Sequence, residues 1–197
     1  MEARLTAHRA TSFSTLLPPV LGWYDHSNCN DYSIAAARLD GGAQENGPME
    51  LPQTGGCQCG ALRYEITQAP IMVYTCHCTD CQRMTSSAFS VGCVLPDGAF
   101  RLVQGEPKGV QRTTGSGRVS SRWVCPECGV WVCTPPRPGA TVRNVRGGTL
   151  DDTSWLRPTA HIWTRSKQPW LPLPEGDRKF ETQPPGDPWW ASVTPAG

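Results

Sequence analysis

No stretch of the 197 residues approaches the ~18 consecutive apolar positions that a membrane-spanning helix requires. The longest run, Leu16 to Tyr24, is broken by Pro18-Pro19, and no membrane partner is expected. Charge of one sign is equally scarce. Lys and Arg total 18 against 17 Asp and Glu, a net charge of +1, and without basic runs a broad nucleic-acid surface is excluded. The first 20 residues lack the basic start, continuous apolar core and small-residue cleavage site of a secretory signal. A reducing, cytoplasmic compartment is therefore expected. Long stretches free of chain breakers are also rare: 20 Gly and 19 Pro argue against a helical bundle and for short strands joined by many turns.

Sulfur is the residue chemistry present in excess. The ten cysteines fall short of the ~8–10% of disulfide scaffolds, but seven of them form three tight clusters. These are Cys57-Gln-Cys59, Cys76-His-Cys78-Thr-Asp-Cys81 and Cys125-Pro-Glu-Cys128-Gly129. Disulfides do not demand partners two or three residues apart, whereas a tetrahedral zinc with bonds near ~2.3 Å collects its ligands in pairs on tight turns. The third cluster is a zinc knuckle, in which Pro126 presets φ for the turn and Gly129 takes the positive φ after the second ligand.

A knuckle supplies two ligands and a closed structural site needs four. Its partner is either Cys57 with Cys59 or two members of the middle cluster. The first pairing closes one site and leaves Cys76, Cys78 and Cys81 together, three thiolates with a vacancy, the composition of a catalytic zinc. The second pairing leaves no sensible second site. Two zinc ions per chain are the expectation. A three-thiolate zinc carries a local negative charge, and Arg83, two residues after Cys81, is placed to offset it. His77 is read as an exposed ring turned away from the metal. Cys93 and Cys133 read as small buried hydrophobes, and Cys29 is assigned no role.

Residues 1–48 show no hydrophobic periodicity, and Gly41-Gly42 through Gly47-Pro48 reads as a linker. They are expected to be an irregular extension of low order, with Met49 the natural start of a domain over 49–183 and an irregular tail over 184–197. Leu62, Tyr64 and Ile66 alternate with polar residues in a half-buried strand. Phe89, Val91, Cys93 and Leu95 share one face of a second strand, ended by a turn at Pro96-Asp97-Gly98. Further strands are predicted over 100–103, 119–124, 130–134, 141–145 and 161–164, with the knuckle at a hairpin tip and a short helix after Cys81.

Five motifs in order resemble the glutathione-dependent formaldehyde-activating enzyme family, which shares its domain with centromere protein V. They are Gly56-Cys57-Gln-Cys59-Gly60, Cys76-His-Cys78-Thr-Asp-Cys81-Gln-Arg83, Cys125-Pro-Glu-Cys128-Gly129, Gly148-Thr-Leu-Asp151-Asp152 and His161-Ile-Trp163-Thr-Arg165-Ser166-Lys-Gln-Pro-Trp170. The resemblance covers about residues 51–180. It implies a mainly β fold, an antiparallel β-tent pinned by zinc, with Cys57, Cys59, Cys125 and Cys128 on a structural ion and Cys76, Cys78 and Cys81 on a catalytic one. The reaction it implies joins glutathione and formaldehyde, a carbon–sulfur lyase run backwards. Alternatives are action on another thiol conjugate in a biosynthetic pathway, a thiol oxidoreductase, or a non-enzymatic zinc module.

Beyond the ligands, His161 is the candidate carrier of the adduct proton, and Arg83 and Arg165 are candidates for the glutathione carboxylates. Trp131, Trp163 and Trp170 are candidate pocket walls, though core aromatics is the favoured reading of them. Asp151 and Asp152 are expected to form a turn. Two departures from the family pattern stand out: Ser86 occupies a position where glycine is usual, and Val130 follows the knuckle glycine.

Overall fold

The computed structural model describes residues 49–115, 117–136 and 138–185. The expectations for 1–48 and for 186–197 lie outside the described residues. The chain runs β1 (Gln53–Gly56), β2 (Arg63–Ile66), β3 (Met72–Cys76), α1 (Thr79–Thr85), β4 (Ser90–Pro96), β5 (Phe100–Gln104), β6 (Lys108–Thr113), β7 (Val119–Val124), β8 (Trp131–Cys133), β9 (Val142–Arg146), β10 (Ala160–Ile162) and β11 (Arg178–Phe180). One sheet is β1-β2-β5 and the other is β11-β10-β3-β4-β9-β8-β7-β6. Pairing is antiparallel except at β10, which runs parallel to both β3 and β11.

The alternation in β2 works as the sequence predicts: Tyr64 and Ile66 are buried while Arg63 and Glu65 reach toward solvent. β4 differs. Its Val91, Cys93 and Leu95 face one core cluster, but Val94 faces a second one. A strand at the centre of a large sheet is covered on both faces, so its apolar pattern is continuous rather than alternating. The same cause hides β3, whose five residues are all buried. The first cluster joins Tyr64 and Ile66 of the small sheet to Val73, Cys93, Leu95, Val132 and Val145 of the large one. The second holds Met72, Tyr74, Cys76, Val94, Ala160 and Ile162 on the opposite face. The large sheet thus divides the interior into two compartments. Cys93 and Cys133 are fully buried, and burial pushes both thiols up to about 12, which makes them packing residues.

α1 begins before Cys81 rather than after it. Cys78 is its N-cap, with Sγ accepting from the Cys81 N–H at 3.4 Å. Ser86 closes the helix in the left-handed region, φ 51° and ψ 34°, and its N–H returns to the Gln82 carbonyl. A residue with a Cβ loses ~1–2 kcal/mol in that region, more than the ~0.5–1 kcal/mol of chain entropy that glycine costs on folding. Ser86→Gly is therefore expected to raise the melting temperature by a few degrees. A lower melting temperature by calorimetry would show that the side chain contributes more than its backbone costs.

Candidate metal centre and cavity

Two hairpin tips of similar design build the first sulfur group. At one, the Cys57 N–H donates to the Leu62 carbonyl at 3.1 Å, and the Gly60 N–H returns to Cys57. At the other, the Cys125 N–H donates to the Val130 carbonyl at 2.9 Å, and the Gly129 N–H, at φ 73°, returns to Cys125. Each loop presents two sulfurs to the other. Cys57 Sγ lies 3.5 Å from Cys59 Sγ, and Cys59 Sγ lies 3.7 Å from Cys125 Sγ. The sulfurs of Cys57, Cys59, Cys125 and Cys128 all lie within 4.8 Å of one another. A tetrahedral ion with ~2.3 Å bonds to sulfur has edges of about 3.8 Å, so this group fits zinc. These separations are far beyond a disulfide bond, and the described cysteines are all unbridged.

The second group lies in the other compartment. β3 delivers Cys76 at its end, and the entry to α1 delivers Cys78 and Cys81. Their sulfurs also fall within 4.8 Å of one another, with no fourth His, Cys, Asp or Glu in the cluster among the described residues. The two groups could each hold a metal ion. All three thiols open on a cavity of about 470 Å³. The Cys81 thiol is pulled far down by hydrogen bonds from Cys76 and then Cys78, with Ser90 and Arg146 adding to the effect. Cys76 is pushed correspondingly up by its two neighbours.

The cation beside the trio is Arg146, not Arg83. Arg83 is exposed and is not among the cavity-lining residues, whereas Arg146 projects from β9 into the cavity. Its Nη1 donates to Ser90 Oγ at 3.0 Å, and its guanidinium lies 3.7 Å from the centroid of the Trp131 ring. Arg122 approaches the same ring at 4.7 Å. Trp131 thus carries Arg146 and Arg122 on its ring and lines a smaller adjoining depression. Trp163 and Arg165 line the main cavity, with the guanidinium 5.0 Å from the ring centroid. Trp163 holds φ 60°, a strained setting for a bulky residue and of the kind that accumulates at functional sites. Trp170 is 69% exposed and lies outside the cavity.

His161 also lies outside it. Its register partner on β3 is Thr75, and both side chains turn to the face opposite Cys76. His161 Nδ1 is 2.6 Å from Thr75 Oγ1, and its Nε2 is 2.9 Å from Asp177 Oδ2. Arg157 holds the same carboxylate through two bonds of 3.0 and 2.9 Å. The ring expected to carry the adduct proton is therefore not among the residues that line the cavity. His77 corrects a second expectation, because its ring is fully buried rather than exposed. Its Nε2 meets Thr75 Oγ1 at 2.9 Å, and Phe89 and His161 pack against the ring. Burial first, then His161 and Lys167, lower its pKa to about 4, so the ring is neutral.

Sequence reasoning missed Tyr74, Asn144 and Arg146 because only strand register brings them together. β4 pairs Gly92 with Tyr74 on one side and Arg146 on the other. A Cβ at Gly92 would meet the Tyr74 ring at 2.6 Å and Asn144 Oδ1 at 2.8 Å, so only glycine lets these side chains lie across β4. Asp80 is the remaining polar group of interest. It accepts from the Gly115 N–H at 3.1 Å and pairs with Arg112 at 3.3 Å, tying α1 to the β6–β7 hairpin that borders the cavity. Asp152 accepts from the Ser154 N–H, the turn role expected of it, whereas Asp151 pairs across the fold with Arg63 on β2.

The model of the family described as glutathione-dependent formaldehyde-activating enzyme matches residues 52–166. A crystal structure of a Rhodobacter sphaeroides protein is similar at 21% identity, covering 50% of this chain and 87% of that one, with a TM-score of 0.39. Because the family match takes in more than half of the sequence, including every clustered cysteine, the chain belongs to the glutathione-dependent formaldehyde-activating enzyme family.

Proposed function

We propose that this protein is a zinc-dependent carbon–sulfur lyase-type enzyme that makes or breaks the thiol adduct of formaldehyde or a related small electrophile, with glutathione as the thiol. The observation that carries this reading is an open group of three sulfurs on a cavity wall, beside a closed group of four elsewhere in the same chain. Cys57, Cys59, Cys125 and Cys128 would hold a structural ion, and Cys76, Cys78 and Cys81 a catalytic one. A zinc in the second group supplies Lewis acidity and stabilises a substrate sulfur as thiolate.

The chain's own residues do the rest. Arg165 and Arg118, at the cavity wall, offer guanidinium forks to the carboxylates of the thiol. Gathering thiol and electrophile in one cavity removes several kcal/mol of translational and rotational cost from the barrier. His161 acts from behind the sheet, fixing Thr75 beside Cys76 as a positioning residue. Unbridged cysteines on this scale suit a reducing cytoplasm.

Metal analysis is expected to give two zinc ions per chain, and the protein is expected to accelerate formaldehyde–glutathione adduct exchange measured by NMR. One metal together with an oxidised pair among Cys76, Cys78 and Cys81 would favour redox chemistry instead. Two metals without acceleration toward any of a panel of thiol conjugates would remove the enzymatic reading.

A further inference from the structure

Two residues that line the cavity, Arg146 and Asn144, each keep one buried polar atom without a hydrogen-bond partner among the described residues. Arg146 uses Nη1 on Ser90 and rests its face on Trp131, yet its Nε is buried without a partner. Its neighbour on the same face of β9, Asn144, donates Nδ2 to the Tyr74 hydroxyl at 2.9 Å while its Oδ1 is buried without a partner. Buried polar groups in native folds are nearly always satisfied, and an exception calls for an explanation such as a catalytic role or a bound water or ion. Arg146, Asn144 and Tyr74 all line the cavity that holds the three thiols. The absence of a side chain at Gly92 keeps these side chains in place.

We propose that Arg146 is the group that binds the electrophile's oxygen, donating to it as charge develops during carbon–sulfur bond formation and cleavage. This deepens the proposed function and rests on it. In the forward direction the thiolate sulfur forms a bond to the carbonyl carbon, and the carbon–oxygen π pair moves onto oxygen. The proton given up by the thiol ends on that oxygen, so the product is the neutral hydroxymethyl thioether. Reversal returns thiol and aldehyde, and neither direction needs a further reactant. A donor held by stacking and by a hydroxyl needs no reorganisation as the charge appears, the condition under which such groups contribute most. Arg165 and Arg118, at other parts of the wall, remain for carboxylates.

Thiols with and without carboxylates separate the two uses of a guanidinium. Arg146→Met is expected to slow adduct exchange about 100-fold for formaldehyde with glutathione and equally with 2-mercaptoethanol. The Kd for glutathione alone, read from tryptophan fluorescence, is expected to stay within twofold, with both metals retained. Arg146→Lys is expected to recover part of the rate, and it answers the question if the methionine variant folds poorly. A loss confined to glutathione, with weakened glutathione binding, would make Arg146 a carboxylate clamp and overturn the inference. An unchanged rate in both variants would overturn it too. Parent protein inactive with both thiols would instead sink the proposed function, and this inference with it.

Discussion

A Cys125→Ser protein is expected to bind one zinc fewer than its parent and to lose cooperative unfolding. Cys125 is almost wholly buried, and together with Cys57 it belongs to the cluster that also contains Tyr64, Leu95 and Val145. The two hairpin tips bring their four sulfurs together in that group. An ion held by four thiolates supplies on the order of 10 kcal/mol of folding free energy, against a total of ~5–15 kcal/mol for a typical domain. Losing most of it leaves the small sheet held on the large one mainly by the apolar cluster. Circular dichroism, a thermal scan and metal analysis check this directly. A cooperative transition near the parent's melting temperature would mean that the apolar cluster alone closes the fold.

Cys78→Ser should behave in the opposite way, with adduct exchange reduced at least 1,000-fold and the thermal transition largely kept. Cys78 has two duties, since its sulfur belongs to the open trio and also caps α1. Serine is a good N-cap, so its hydroxyl can take over the hydrogen bond from the Cys81 N–H while giving up the thiolate. The core positions of both clusters are untouched by the change. Comparable loss of folding in the Cys78→Ser and Cys125→Ser proteins would indicate that both sulfur groups are structural, which favours a binding module over an enzyme.

The sulfur pairing was legible in the sequence because chelation restricts spacing so strongly. A knuckle must find a second pair, and counting leaves one trio. The half-buried strand at Leu62 to Ile66 was legible for a similar reason, since one wet face and one dry face produce alternation. The floor of the cavity was not. Arg146 stands four residues from Val142 in a strand whose polar members look solvated until register sets them beside Tyr74 and Ser90. β11, in the proline-rich stretch that ends the predicted domain, was missed because its three residues gain order by pairing with β10, and no local pattern foretells that. His161 looked like a proton carrier because it is a histidine in one of the five motifs that also supply the clustered cysteines. The parallel pairing of β10 with β3 sends its ring to the far side of the sheet, where Asp177 and Thr75 absorb both nitrogens.

The family match stops at residue 166, yet the fold does not. Asp177 holds both His161 and Arg157, the Glu181 and Thr182 carbonyls accept from Arg165 and Trp163, and Gln183 borders the cavity. A minimal fragment cut to the matched span would expose an unpaired edge along β10 and free the Trp163–Arg165 corner from its anchor. Any recombinant boundary drawn for this protein therefore has to run past Gln183, or the cavity will be studied without one of its supports.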